Sequence, residues 1–143
     1  MIIIILVAAI AIVLYMMNLS GELAIFWDPA SFTLLLLMAL LLAFGTTQKS
    51  SIKDAAFILA GKKLAAITRY EQVALFWNNF GNFSLIGGIL LSITSWIALS
   101  ATIENLAIFG DAFSLASLPL CYGIGFRMIG LFLSSNARNK MIS

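Results

Sequence analysis

From Ile2 to Met17 the chain offers no charged side chain, and similar apolar blocks return at FTLLLLMALLLAF, at SLIGGILLSITSWIAL and beyond Asp111. The apolar residues come as blocks, without the period of two of a half-buried strand or the period of about 3.6 of a surface helix. Charged residues make up 10% of the chain and hydrophobic ones 62%, where a soluble domain carries about 25% charged. These features predict an integral membrane protein, all-α, with one four-helix transmembrane domain over residues 1–143.

The predicted spans are 2–17, 30–44, 83–101 and 112–134. Covering a hydrocarbon core of ~30 Å takes about 20 helical residues. The first two spans, at about 15 residues or roughly 24 Å, fall short of that. Tyr15, Trp27 and Phe44 are placed to extend them through the interface. The first run lacks a basic flank, and its small residues lie inside it, so it reads as a retained span and not a signal peptide.

Basic residues are unevenly distributed. Lys49, Lys53, Lys62, Lys63 and Arg69 lie between spans two and three, and Arg138 and Lys140 follow span four. The remaining connections carry only Glu22, Asp28, Glu104 and Asp111. The positive-inside rule then predicts N-in/C-in topology with the 47–82 loop in the cytoplasm. That loop has few helix breakers besides Gly61. One reading is two amphipathic helices, one with a face of Ile52, Ala55, Ala56 and Leu59, the other with Leu64, Ile67, Ala74 and Phe76. The other is a helical extension of spans two and three.

Several chemistries are excluded. Without histidine and with the single cysteine Cys121, there is no internal disulfide, no His/Cys metal cluster and no Ser-His-Asp site. LAGKKLA lacks the leading glycine and the hydroxyl residue of a phosphate-binding loop. The chain reads as no enzyme, with no metal and no nucleic-acid partner. All six carboxylates can be placed outside the hydrocarbon. A proton or sodium path needs a titratable group near the midplane, which a partner would have to supply.

Small residues form stripes in the last two spans: Ser84, Gly87, Gly88, Ser92 and Ser95 in the third, Ser114, Ser117, Cys121 and Gly125 in the fourth. They fit helix packing or, as the alternative, a polar lining facing a partner helix or ion path. Arg127 lies slightly to the cytoplasmic side of the centre of span four, placed to snorkel or to make an inter-subunit or functional contact. Pro119 kinks that span, as a fixed bend or as a flexing point. Asp28 and Pro29 are a helix start signal, an N-cap followed by proline at the first helical position.

Gly21, Leu23, Phe26, Asp28, Pro29 and Ser31 together resemble the outer-loop signature G-x-L-x-x-F-x-D-P-x-S of the flagellar stator A-subunit family (MotA), grouped with the TolQ and ExbB energy-transducing subunits. FGDAFSLASLPLCYG, residues 109–123, is similar to the start of that family's fourth span, with Gly110, Ala116, Tyr122 and Gly123 on the matching positions. SLIGGILL resembles its Gly-rich third span. The chain departs from the pattern in three places. The cytoplasmic domain shrinks to about 36 residues, the threonine pair of span four falls on Pro119 and Leu120, and the glycine pair of span two on Leu37 and Met38.

The resemblance implies a multi-pass protein of the bacterial inner membrane. It implies a homopentamer around a dimer of single-span partners (MotB/TolR/ExbD-like) whose intramembrane aspartate takes H+ or Na+. Ser92, Ser95, Ser114, Ser117, Cys121 and Tyr122 are the expected lining of the partner cavity. No bound cofactor is expected beyond the transported ion. The alternative is a non-conducting scaffold or accessory subunit that keeps the fold.

Overall fold

In a computed structural model, residues 2–20, 26–60, 64, 66–102 and 106–142 are described. They form α1 (Ile2–Ser20), α2 (Pro29–Thr46), α3 (Lys49–Leu59), α4 (Ile67–Thr102) and α5 (Leu106–Ile142), with no strand among them. Three of these helices are long and apolar enough to cross a membrane, within Pro29–Thr46, Ile67–Ala101 and Phe109–Met141. The described apolar stretch of α1, Ile3–Tyr15, is shorter. Its large side chains other than Leu6 are exposed, Ile4 at 72% and Ile12 at 64%.

The helix α2 starts where its sequence says. Asp28 Oδ1 accepts from the N–H groups of Ala30 at 3.1 Å and Ser31 at 3.3 Å, satisfying two donors of the first turn. Pro29 sits at N1, where it lacks nothing. At the far end the Thr46 and Thr47 hydroxyls donate back to the carbonyls of Leu42 and Ala43.

The long hairpin of α4 and α5 is the spine of the molecule. At 36 and 37 residues each helix runs about 54 Å, well beyond a ~30 Å hydrocarbon core. The second half of the 47–82 segment is therefore continuous with span three, while the first half folds into the separate helix α3. Asn78, Asn79 and Asn82 lie inside this continuous helix, since helix backbone bonds close internally and do not require apolar side chains. The face of α3 also differs from the apolar one expected. The buried residues are Ser51, Asp54, Ala55 and Ile58, whereas Ala56 is exposed. The rotation brings Asp54 against α4, where Arg69 Nε donates to its Oδ2 at 2.8 Å. In the second predicted face Ala74 and Phe76 are buried, Leu64 is half-buried, and Ile67 is 67% exposed.

A glycine seam holds the hairpin together. A Cβ on Gly88 would meet the Pro119 carbonyl oxygen at 2.5 Å, and one on Gly123 the Ser84 carbonyl oxygen at 2.7 Å. One heptad away, a Cβ on Gly130 would lie 2.6 Å from the Trp77 carbonyl oxygen and 2.9 Å from Gly81 Cα. Gly81 and Gly88 thus face Gly130 and Gly123, with Ser84, Ser92 and Ser134 buried alongside. Backbones this close gain dispersion contacts where lipid removes the hydrophobic drive between helices. Gly87 faces the other way and receives Leu35 and Met38 of α2. Around the seam the core comprises Ala39, Ala43, Ala55, Ile58, Val73, Phe76, Phe80 and Ala137.

Candidate functional site

The two stretches that carry the resemblance meet in space. The Tyr122 hydroxyl donates to the Phe26 carbonyl oxygen at 2.6 Å and accepts the Asp28 N–H at 2.9 Å. Phe32, one turn into α2, lies edge-on to the Tyr122 ring at 5.5 Å and contacts Trp27 and Phe126. A single phenol thus fastens the chain ahead of α2 to the middle of α5, across 94 residues of sequence. Hydrogen bonding from the Ser31 side chain holds the Asp28 carboxyl below its ordinary value of 3.8. Phe26, Asp28, Pro29 and Ser31 are gathered here with Tyr122. Gly21 and Leu23 lie outside the described residues. Gly123 belongs to the seam, Ala116 is half-buried, and Gly110 stands open near the start of α5.

The expected lining residues divide between two faces. Ser92 is wholly buried inside the hairpin, and its Oγ accepts the Leu120 N–H at 3.0 Å. That bond follows directly on Pro119, which has no N–H to give and leaves the Leu115 carbonyl without its helical donor. Pro119 itself is buried against Gly88. Ser84 donates to the Phe80 carbonyl oxygen within its own helix, and Ser95 is half-buried. Ser114 and Cys121 are exposed on α5, while Tyr122 is half-buried in the clasp described above. Ser117 is half-buried; its hydroxyl donates to the Phe113 carbonyl oxygen and accepts from Trp96 Nε1 at 3.2 Å. Gly110 and Gly125 have nothing within 4 Å of a would-be Cβ. Gly110, Ser114, Ser117, Cys121 and Gly125 recur at helical spacing, which sets them on one side of α5. Gly123 and Gly130 lie on the opposite side.

No carboxylate sits along the middle of the hairpin among the described residues. Asp28 caps α2, Asp111 is exposed near the start of α5, Glu71 is exposed near the start of α4, and Asp54 belongs to α3. Glu22 and Glu104 lie outside the described residues. No group of three or more metal-ligating side chains occurs among those described. Arg127 extends past Gly81 toward the α3 end of the bundle. Its Nη1 donates to the Asn78 carbonyl oxygen at 3.2 Å and to Asn78 Oδ1 at 3.1 Å.

Sequence reasoning missed the polar joint at the α3 end. Asp54 is 1% exposed, and its Oδ1 has no hydrogen-bond partner among the described residues. Ser51, one turn earlier, is 3.4 Å from Gln72 Oε1. Beside them Thr46, Thr47, Gln48, Ser51, Gln72 and Leu75 line a cleft of about 230 Å³. Tyr70 ties the end of the connection to α4, its hydroxyl accepting the Leu64 N–H at 2.8 Å. The available signal was the pairing of Ser51/Asp54 with Arg69/Gln72, each at i, i+3, which places two polar pairs on facing turns.

Compared with known proteins, the chain matches no family model, no curated protein and no solved structure.

Proposed function

We propose that the chain is a compact stator-type subunit of a proton- or sodium-driven membrane motor, assembling as a ring around single-span partner helices. The observation that carries this reading is the open side of α5. Its small residues, Ser114, Cys121 and Gly125, are exposed and lie on the side of α5 opposite the glycine seam. Small residues on a free helix side let another helix approach closely in lipid. Tyr122, fixed by Phe26 and Asp28, holds that helix at a defined rotation against α2. In this reading α1 is the fourth span, both termini are cytoplasmic, and the protein resides in the bacterial inner membrane as a pentamer.

The subunit supplies the walls and the partner supplies the titrating aspartate. A unit charge falling through 100 mV releases about 2.3 kcal/mol, which the partner's acid would take up and release while the ring turns. The spans described here contribute no competing carboxylate that would trap the ion.

Cys121 provides the test, because it is the only thiol in the chain. A single-span protein encoded nearby is co-expressed with a cysteine one turn from its intramembrane Asp, and disulfide formation with Cys121 is measured. Ion flux into vesicles is measured with the partner Asp intact and replaced by Asn. Cross-linking together with Asp-dependent flux supports the motor. A monomeric particle, or a ring closed at its centre, sinks it.

A second reading, a non-conducting scaffold, draws on the fate of the hydroxyls. Ser92 is consumed by the Leu120 N–H, and Pro119 and Leu120 stand where the resembled family has threonines. Cross-linking without flux selects this reading.

A further inference from the structure

Arg127 is a cation with no anion beside it among the described residues. The one ion pair among them is Asp54–Arg69, and Arg127 is satisfied only by the two oxygens of Asn78. Guanidinium has five donors, and these two bonds occupy Nη1 alone. The neighbouring contacts fix its depth. Gly123 lies level with Ser84 and Gly88, and Gly130 with Trp77 and Gly81, so the Arg127 backbone sits about one turn toward the α3 end from the middle of the hydrophobic stretch. The side chain continues that way over Gly81, whose missing Cβ leaves room for it; a Cβ there would lie 3.2 Å from Arg127 Cδ. The charge is thereby carried toward the level where headgroups begin.

Asn78 lies at that level, and a second amide, Asn82, lies one turn deeper, level with the Arg127 backbone. Asn82 follows Asn78 by one turn of α4, on the same side of the helix. Asn82 is half-buried, and its side chain makes no hydrogen bond among the described residues. The Asn78 amide keeps its N–H₂ free while its oxygen receives Arg127. A guanidinium with unused donors, bound to one amide and followed by a second a turn away on α4, matches a phosphodiester at a bilayer boundary, which offers acceptors in a plane that an arginine fork engages. We propose that Arg127, Asn78 and Asn82 form a cradle for the phosphate of an anionic phospholipid in the leaflet on the α3 side.

A lipid fits better here than an acid on a partner helix, for two reasons. The guanidinium points away from the bilayer centre, where a motor's acid would sit. Arg127 also lies six positions beyond Cys121, about 120° around α5 from the open small-residue side. Other charges toward this end include Glu71, exposed and two turns before Asn78, Arg138, exposed and three turns beyond Arg127, the exposed Lys53 of α3, Lys140 in the last turn of α5, and the Asp54–Arg69 pair. Arg138 adds attraction for an anionic surface, and Glu71 opposes it. The inference needs only the membrane placement of α4 and α5 and stands without the ring.

The test is retention of lipid by the full-length protein in native mass spectrometry. The purified protein is exposed to equimolar phosphatidylglycerol and phosphatidylcholine, with excess inorganic phosphate in a separate arm. The expected result is preferential retention of phosphatidylglycerol that inorganic phosphate does not displace. Arg127→Gln should lower that retention about tenfold, the size of one charge-assisted hydrogen bond. Asn82→Leu should lower it several-fold with Arg127 in place, and carries the test if the arginine variant does not fold. Arg138→Gln should have a smaller effect. Equal retention of the two lipids, or retention unchanged in Arg127→Gln and Asn82→Leu, overturns the cradle. Displacement by inorganic phosphate overturns it in favour of a soluble anion. A co-purifying acidic membrane protein lost with Arg127→Gln, while lipid is kept, overturns it in favour of a protein contact.

Discussion

Gly123 and Gly125 are two residues apart on one helix and have opposite environments. A Cβ on Gly123 would sit 2.7 Å from a backbone oxygen of α4, whereas a Cβ on Gly125 would meet nothing within 4 Å. Both belong to runs of small residues that look alike in sequence. One side of α5 closes the subunit and the other stands open. Small side chains in a membrane helix thus permit approach, but only the neighbouring backbone determines whether the approach is internal or intermolecular.

The sharpest way to break this contrast is to fill each side in turn. Gly123→Val, and likewise Gly88→Val, forces branched carbons into backbone atoms that cannot retreat without parting the hairpin. The expected loss of stability is about 2–3 kcal/mol or more, read as a lower unfolding midpoint in detergent. Gly125→Val should change the isolated subunit by less than about 0.5 kcal/mol. If the ring proposal holds, Gly125→Val should instead abolish co-purification of partner helices. Equal destabilisation by Gly123→Val and Gly125→Val would remove the distinction between the two sides.

The legible parts of this molecule are the local ones. Asp28–Pro29 fixes the start of α2 because an N-cap bonds to residues two and three positions away, and the apolar blocks mark helices because lipid and core both demand them. The seam was not separable from a lining, since Gly88 finds its purpose in Pro119 and Gly123, some thirty residues later. The helix α3 shows the same limit. Its apolar pattern pointed to Ile52 and Ala56, but the turn to Asp54 follows from Arg69, fifteen residues on. Periodicity weighs apolar area and gives no weight to an ion pair whose second member lies on another helix.

The clasp at Tyr122 provides a smaller test. Tyr122→Phe keeps the ring against Phe32 and removes both hydrogen bonds, leaving the Phe26 carbonyl and the Asp28 N–H to find other partners. The expected cost is about 1–2 kcal/mol. Hydrogen exchange at the Asp28 amide should accelerate while the middle of α4 stays protected. Exchange that rises equally along α4 would mean that Tyr122 supports the hairpin as a whole and not the junction ahead of α2. At the α3 end, Arg69→Met leaves Asp54 buried without its cation. The Arg69 side chain is 44% exposed, and solvent screening reduces the penalty to about 1 kcal/mol. The loss should appear as faster exchange in α3, with the glycine seam unaffected.

The smallest expected effect is a pH dependence at the opposite end. The Asp28 carboxyl is held below its ordinary value of 3.8, chiefly by the Ser31 hydroxyl and further by the N–H groups of Ser31 and Ala30. A carboxylate depressed in the folded state stabilises it at pH values above the unfolded value, and that stabilisation disappears as pH falls through the lower folded value. The start of α2 should therefore loosen only in strong acid, below about pH 4. Asp28→Asn preserves capping, because the amide oxygen accepts the same N–H groups, and it does not titrate. At neutral pH the two proteins should differ by a few tenths of a kcal/mol. Amide exchange in the first turn of α2 should rise in acid for the wild type, and the Asp28→Asn variant should lack that added step. Matching acid profiles would place the sensitivity elsewhere and leave Asp28 with a purely geometric role.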